Sequence, residues 1–358
     1  MHKRYFLLVL IILLVNVSFA QVGNPLHLKL FKANNPAIEY FGRVDFSDPL
    51  MPRFWSPGVY VVLKFKGTAF DLIINDESNG DNHNYIEIAI DDNPLLRIKL
   101  DSKLNDHKIA YGLSNGEHIV TICKDTESGI GYLEFVGIRC EALLPPPPKP
   151  TRKIEYIGDS ITAGTGMDIS QMPCDNGQWY DQHNAYMSYG PLTSRALNAQ
   201  WQLTAVAGIG LTHSCCNMDI VMPDVFDKLY LRDNKIQWDF NRYQPDVVTI
   251  CLGQNDGVVD SALFCKAYLQ FISTVRSHYP KADIICLNSP MAKDTLTTVL
   301  KNYLTGITTY LNKNGDKKVY KYFFSKRYHN GCGGHPDMAE HVQIADELTA
   351  YIKQVEGW

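Results

Sequence analysis

Between residues 21 and 144 the chain is a series of short apolar segments in which polar and apolar positions often alternate. Alternation with a period of two is typical of strands that bury one face, and these segments are rich in β-branched and aromatic residues. Strands are predicted at 60–65, 70–74, 85–90 and 118–122. Turn-forming residues separate them at 79–80, 91–94 and 114–116. The pattern predicts an antiparallel β-sandwich domain over 21–144, of the jelly-roll kind.

A proline-rich stretch at 145–150 predicts a short, stiff linker, because successive prolines hold the backbone in polyproline II. The pattern then changes over 151–358. Near-continuous apolar segments at 154–157, 202–206, 247–252, 284–287 and 319–323 alternate with helical patterns at about 184–198, 260–279, 294–313 and 338–355. This alternation predicts an α/β domain with a doubly wound parallel sheet, whose ligands bind beyond the carboxyl ends of the strands.

The first twenty residues have the features of a signal peptide. Lys3 and Arg4 precede an apolar run over 5–15, and Ser18 and Ala20 provide the small residues of a cleavage site. The run is shorter than the roughly 20 residues of a membrane-spanning helix. We therefore expect a secreted or periplasmic protein, with residues 1–20 removed and no membrane anchor.

Charge and cysteine content exclude several classes of protein. Lys plus Arg number 34 against 38 Asp plus Glu, so the net charge of −4 gives no electrostatic basis for binding nucleic acid. No CxxC pair occurs among the nine cysteines, and we expect neither a structural metal nor a cofactor. Cysteines in apolar strand segments are predicted to be buried thiols, and those in polar loops to form one or two disulfides. The first group is Cys123, Cys140, Cys251 and Cys286, and the second is Cys174, Cys215, Cys216 and Cys332.

Four candidate catalytic residues follow predicted strands or precede the last helix. They are Ser160, Gly208 (with Gly210 as an alternative), Asn255 and His335. Each has an ordinary explanation when taken alone, since a serine after a strand is usually a helix cap. Together they meet the needs of acyl transfer: a hydroxyl nucleophile, an imidazole base and donors for an oxyanion. The donors would be the backbone N–H groups of Ser160 and Gly208 and the Asn255 carboxamide.

The order Ser, Gly, Asn, His resembles that of the SGNH (GDSL-type) hydrolases. A narrower resemblance to family 2 carbohydrate esterases rests on 42–46, 55–58, 65–68, 157–164 and Gly331-Cys332. The resemblance implies an acetyl xylan esterase-like enzyme whose substrate is an acetylated polysaccharide from plants, such as xylan or glucomannan. It also implies Ser160 as nucleophile, His335 as base, and Gly208 with Asn255 in the oxyanion hole.

The sequence departs from the usual SGNH pattern near the histidine. Cys332 and Gly333 occupy the two positions where an orienting Asp is usual, so we expect a Ser160–His335 dyad held by a backbone carbonyl. Asp337 is expected to point away, and Asp159 to support the turn after the first strand. Gly334 replaces an aromatic residue that can stack on a sugar. The candidate substitutes for that aromatic residue are Trp179, Tyr180 and Tyr189.

Two alternatives stay open at this stage. One is a carbohydrate-binding protein without catalytic activity, although binding alone does not require the four-residue set. The other is an SGNH esterase acting on a different ester, such as an acetylated cell-wall sugar or a lipid.

Overall fold

A computed structural model of the chain describes residues 27–232 and 236–358. The predicted signal peptide lies outside these residues. The strands are β1 (Lys29–Lys32), β2 (Ile38–Phe41), β3 (Arg53–Phe54), β4 (Tyr60–Ser78), β5 (Tyr85–Ile90), β6 (Leu96–Lys99), β7 (Leu104–Lys124), β8 (Gly131–Leu144), β9 (Arg152–Gly158), β10 (Ala199–Ala205), β11 (Val247–Cys251), β12 (Asp283–Leu287) and β13 (Val319–Tyr322). The α-helices are α1 (Ser160–Ala163), α2 (Tyr189–Ala196), α3 (Met222–Val225), α4 (Ser261–His278), α5 (Asp294–Lys313) and α6 (Met338–Glu356). None of the helices in the described part has the length and apolarity needed to cross a bilayer.

The first eight strands form one antiparallel sheet, as predicted for the N-terminal domain. Its core contains apolar residues from opposite parts of the sheet, among them Phe65 and Leu72 of β4, Ile88 of β5 and Ile138 of β8. The predicted strands 60–65 and 70–74 are parts of the single 19-residue strand β4.

The predicted turn at 114–116 is wrong, because these residues lie inside β7, which continues for 21 residues. Gly116 pairs there with Gly67 of β4, and the pairing register shifts between Gly67 and Ala69. Two facing glycines, with Gly67 at a φ of 144°, let the strand pair change direction without ending. The turn-like composition therefore marks an irregularity within two long strands.

The second domain has the predicted doubly wound fold. Its five parallel strands lie in the order β10-β9-β11-β12-β13. Apolar residues of α4 and α5 pack in one core cluster with the sheet, and those of α2 and α6 pack in another. Helix α5 has the predicted bounds, whereas α2 begins at Tyr189 rather than at 184. Residues before it bind the N-terminal domain instead: the backbone N–H groups of Ala185 and Tyr186 donate to Asp125.

The strand order creates a topological switch point at the carboxyl end of β9. β9 lies between β10 and β11, so the chain adds one strand on one side of β9 and the later strands on the other side. Gly158, the last residue of β9, is level with Ala205 of β10 and Cys251 of β11. Three loops therefore leave the sheet together at the point where α/β proteins bind ligands.

The two domains pack closely across the linker region. Residues 145–151 form neither helix nor strand. Tyr60 stacks on Trp201 with a centroid distance of 3.7 Å, and the Trp201 indole N–H donates to the Gly58 carbonyl at 2.9 Å. Arg43 and Glu155 form a fully buried ion pair at 3.3 Å between the domains. Aromatic packing and a buried charge pair thus fix the relative position of the two domains.

We predict that Arg43→Leu lowers the free energy of unfolding by about 3–5 kcal/mol, because it leaves the Glu155 carboxylate buried without its counter-charge. The measurement is a urea titration followed by tryptophan fluorescence. The double variant Arg43→Leu with Glu155→Leu should be less destabilised than the single variant, since it removes the unpaired charge. Equal destabilisation of the two variants would contradict the prediction.

Candidate active site

The fold places Ser160 at the first position of α1, directly after β9. Asp159 caps this short helix, since its carboxylate accepts the Ile161 backbone N–H at 3.1 Å. Ser160 Oγ lies 2.9 Å from His335 Nε2, although the two residues are 175 positions apart. The sheet and the loop before α6 therefore bring together the two residues that sequence reasoning singled out as nucleophile and base.

The other ring nitrogen of His335 determines its tautomer. Nδ1 lies 3.1 Å from the backbone carbonyl of Cys332, which can only accept a hydrogen bond. Nδ1 therefore carries the proton, and Nε2 presents a lone pair to the Ser160 hydroxyl. Burial lowers the pKa of His335 below its usual value, which keeps the ring neutral.

Neither nearby aspartate contacts the histidine. Asp337 caps α6, where its side chain accepts the Glu340 backbone N–H at 2.8 Å. Asp159 is occupied by its helix cap and by a 3.4 Å contact with Asn255 Nδ2. In the described part of the chain, the Cys332 carbonyl, and neither of these two carboxylates, lies at His335 Nδ1.

Candidate oxyanion donors line the same cavity as this pair. Gly208 has a φ of 85°, and its carbonyl accepts the Cys215 backbone N–H at 2.9 Å, which orients the peptide. Its own N–H bonds to no acceptor in the described part of the chain. Asn255 Nδ2 donates to the Ile209 carbonyl at 2.8 Å, and its longer 3.4 Å contact with Asp159 Oδ2 is the one that a ligand could replace. The alternative glycine, Gly210, already donates its N–H to Ser214 Oγ at 3.0 Å.

Two cavities meet at Trp179. The first, of about 470 Å³, contains Ser160, Gly208, Asn255 and His335, and the second, of about 400 Å³, lies on the loop side of His335. The Trp179 side chain lines both cavities and is 55% exposed, with an edge contact to the buried His183 ring at 4.9 Å. An exposed indole beside the serine is a suitable surface for a sugar ring.

The other two aromatic candidates do not reach these cavities. Tyr180 is 1% exposed and its hydroxyl donates to Asn82 Oδ1 at 3.1 Å. Tyr189 is fully buried and pairs with the Thr162 hydroxyl at 2.8 Å. Their prediction as substrate-binding residues is wrong, because burial against the protein leaves neither ring a face for a ligand.

The four loop cysteines form two disulfides, which confirms the prediction of one or two. Cys174 is bonded to Cys332, and Cys215 to Cys216. Cys215 and Cys216 line the first cavity next to Gly208. The four cysteines of the apolar strands are buried free thiols, as predicted.

Sequence reasoning missed a contribution from the N-terminal domain. The buried Glu127 follows β7 and accepts the backbone N–H of Ala207 at 3.2 Å, one residue before Gly208. Its carboxylate also accepts two hydrogen bonds at 2.9 Å from Arg232, which lines the first cavity. A pairing between residues so distant in sequence leaves no local pattern, so only the structure reveals it.

Within residues 27–232 and 236–358, no three His, Cys, Asp or Glu side chains are grouped so that they could hold a metal ion. The cavity holds a serine hydroxyl, an imidazole nitrogen with a lone pair and N–H groups, which are the kinds of group that acyl transfer to a serine requires.

Two family models match the chain: "Carbohydrate esterase 2 N-terminal" over residues 40–148, and "GDSL-like Lipase/Acylhydrolase family" over residues 156–324. A Cellvibrio japonicus protein named "Acetylxylan esterase / glucomannan deacetylase" is 31% identical over 337 residues, which cover 91% of each chain. The chain belongs to carbohydrate esterase family 2. This is a family of carboxylic ester hydrolases.

Other relatives agree with this assignment. "Cellulase/esterase CelE" of Acetivibrio thermocellus is 36% identical over 342 residues, and the match spans 91% of this chain but 40% of CelE. A family two carbohydrate esterase from Clostridium thermocellum, solved in complex with cellohexaose, has a TM-score of 0.81 and 35% identity. That match covers 90% of this chain and 99% of the solved chain. The fold expected from the sequence is therefore the fold of the family.

We predict that Glu127→Gln lowers turnover of 4-nitrophenyl acetate by a factor of about 10, because the Gly208 loop loses part of its support. The effect should be smaller than the roughly 10²–10³ that follows removal of an oxyanion donor. The matched control is Glu117→Gln, which alters an exposed carboxylate of the same domain. Wild-type turnover in a folded Glu127→Gln variant would contradict this role.

Proposed function

We propose that the chain is an exported serine esterase that removes O-acetyl groups from plant polysaccharides, namely acetylated xylan or glucomannan. The observation that carries the proposal is the 2.9 Å contact between Ser160 Oγ and the acceptor nitrogen of His335, inside a cavity that also holds Gly208 and Asn255. The names of the Cellvibrio japonicus relatives support the choice of substrates.

Acylation begins when Ser160 Oγ attacks the acetyl carbonyl carbon and its proton passes to His335 Nε2. The resulting oxyanion accepts hydrogen bonds from the Gly208 N–H, the Ser160 N–H and Asn255 Nδ2. When the tetrahedral intermediate collapses, the bond to the sugar oxygen breaks and Nε2 returns the proton to that oxygen. The products of this half-reaction are the free sugar hydroxyl and acetyl-Ser160.

Deacylation repeats these steps with water. His335 Nε2 takes a proton from the water, whose oxygen attacks the acetyl carbonyl. The second tetrahedral intermediate releases acetate, and the proton on Nε2 returns to Ser160 Oγ. The Cys332 carbonyl holds Nδ1–H in both half-reactions and leaves Nε2 free for proton transfer.

The surroundings of Ser160 favour a small acyl group on a sugar. A cavity of about 470 Å³ has the size of a small-molecule site, and the Cys215–Cys216 disulfide lies against Gly208, so the acyl end of the site is confined. The exposed Trp179 face provides the sugar platform that Gly334 does not. Export is the part of the proposal that rests on residues 1–20 alone.

The two alternatives have weaker support. A binding protein without activity has no use for a serine hydroxyl hydrogen-bonded to a neutral, oriented imidazole. A lipase needs a broad apolar approach, whereas Arg232, Asn217 and Asn255 place polar groups in the cavity around Ser160. Hydrolysis of acetylated cell-wall sugars uses the same chemistry and is an outcome of the substrate test below.

The test is acetate release by the purified mature chain from acetylated xylan, acetylated glucomannan, acetylated cell-wall sugars and longer acyl esters. We expect the plant polysaccharides to be the best substrates. Ser160→Ala and His335→Ala should each lower the rate more than about 10³-fold while they keep the wild-type circular dichroism spectrum, because the pair acts as a unit. A chelator should leave the wild-type rate unchanged. Retention of activity by either folded variant would overturn the site assignment.

We also predict an unusually low acidic limit of activity. Only neutral His335 can take the serine proton, and burial lowers its pKa below the usual value near 6.5. The acidic limb of kcat/KM for 4-nitrophenyl acetate should therefore have its midpoint below pH 6.5. An acidic limb centred at or above pH 6.5 would contradict this, because it would indicate an unrecognised carboxylate beside the ring.

A further inference from the structure

The loop that presents His335 has few side chains to hold it. We define the histidine loop as residues 331–335, Gly-Cys-Gly-Gly-His. Gly333 and Gly334 both have positive φ values, of 62° and 74°, and Gly333 is exposed. Glycines restrict the backbone least. The loop is closed on itself by the Gly331 N–H, which donates to the His335 carbonyl at 2.7 Å, and by two bonds of 3.2 Å, so a restraint from outside adds to a short set of internal hydrogen bonds. Cys332 has the only side chain between Gly331 and His335.

Cys332 is held at two points and in turn holds His335. Its backbone N–H donates to the Gly166 carbonyl at 2.8 Å, and its own carbonyl holds His335 Nδ1 at 3.1 Å. Its sulfur is bonded to Cys174, 158 residues earlier in the chain. The residue that orients the catalytic base is therefore held by one hydrogen bond and one covalent bond.

The other end of the disulfide is itself anchored. Cys174 belongs to a segment that we call the tryptophan loop, residues 171–182. The Gln182 carboxamide donates to the carbonyls of Pro173 and Asn176 at 3.0 and 3.1 Å. The Asp181 carboxylate lies 2.6 Å from His83 Nε2 of the N-terminal domain. The bond thus connects the histidine loop to a segment that is fastened to the first domain.

We infer that the Cys174–Cys332 disulfide is a positioning device that replaces the orienting carboxylate of a triad: it fixes the carbonyl that holds His335 Nδ1. The inference rests on the proposed function, and it extends that function by assigning a role to both cysteines. Cys332 occupies the position three residues before the histidine, where an aspartate side chain would usually perform this task. Here the side chain is used for the tether, and the backbone orients the ring.

The central test compares wild type with Cys174→Ser/Cys332→Ser on 4-nitrophenyl acetate, a substrate too small to need the Trp179 surface. Each protein is assayed well below its own unfolding temperature. We expect kcat to fall at least tenfold with KM changed less than threefold. Asp337→Asn is the matched control, since it weakens the α6 cap beside the same loop and should keep nearly full kcat.

A rescue variant separates orientation of the ring from general stability. Cys174→Ser/Cys332→Asp places a carboxylate at the triad position, and we expect it to recover part of the lost kcat. A negative charge near the ring favours the imidazolium, so the acidic limb of the pH profile should move to higher pH than in wild type. If the disulfide only stabilised the fold, the rescue variant would recover no kcat, and the acidic limb of its pH profile would not move.

A second route covers variants that do not fold. The Cys215→Ser/Cys216→Ser variant keeps the Cys174–Cys332 bond as its disulfide. Under native conditions a dithiol reductant converts this bond to two thiols and is itself oxidised to a disulfide. Reoxidation restores the bond. The expected result is a reversible loss of kcat in parallel with the appearance of the thiols. The inference would be overturned by wild-type kcat in the folded Cys174→Ser/Cys332→Ser variant, or by a kcat that stays unchanged when the Cys215→Ser/Cys216→Ser protein is reduced. Activity remaining in Ser160→Ala would instead overturn the proposed function, so the two failures are distinguishable.

Discussion

The alignment of three parallel strand ends is the constraint on which the rest of the site depends. Gly158 is level with Ala205 and Cys251, so the loops after β9, β10 and β11 leave the sheet at one height. A hydroxyl, a peptide N–H and a carboxamide then face one cavity without any long side chain having to reach. A shift of one residue in either pairing would move the donors by about 3.3 Å relative to Ser160, since this is the rise of a strand per residue.

The N-terminal domain contributes hydrogen bonds that hold loops of the candidate active site. Glu127 holds the Gly208 loop, and His83 holds Asp181 at the end of the tryptophan loop. Buried Arg97 adds hydrogen bonds at 2.9 and 2.7 Å to the carbonyls of Asp181 and His183. The N-terminal domain thus stabilises two loops near Ser160, the Gly208 loop and the tryptophan loop, through these hydrogen bonds. This support explains how loops can hold the Gly208 N–H and the Trp179 ring in place.

Sequence patterns predicted most of this arrangement, and their limits have physical causes. The sequence could indicate the candidate site because the carboxyl ends of parallel strands lie side by side, so residues that follow such strands are close in space. These residues include Ser160, Gly208 and Asn255, and His335 precedes the last helix. Tyr180 and Tyr189 were misjudged because an aromatic residue in a long loop gives no sign of which side of the loop is buried. The turn predicted at 114–116 failed because glycine serves a bend within a strand as well as a turn. Glu127 and Arg232 lie too far apart in sequence to leave a pattern.

Covalent labelling distinguishes a Ser160 nucleophile activated by His335 without a carboxylate from an ordinary serine. The wild-type chain is treated with a phosphonate that forms a stable adduct with activated serines, then digested and mapped by mass spectrometry. We expect a single adduct on Ser160, formed at the wild-type rate in Asp337→Asn and absent in His335→Ala. An adduct on another residue, or equal labelling of Ser160 in His335→Ala, would contradict it.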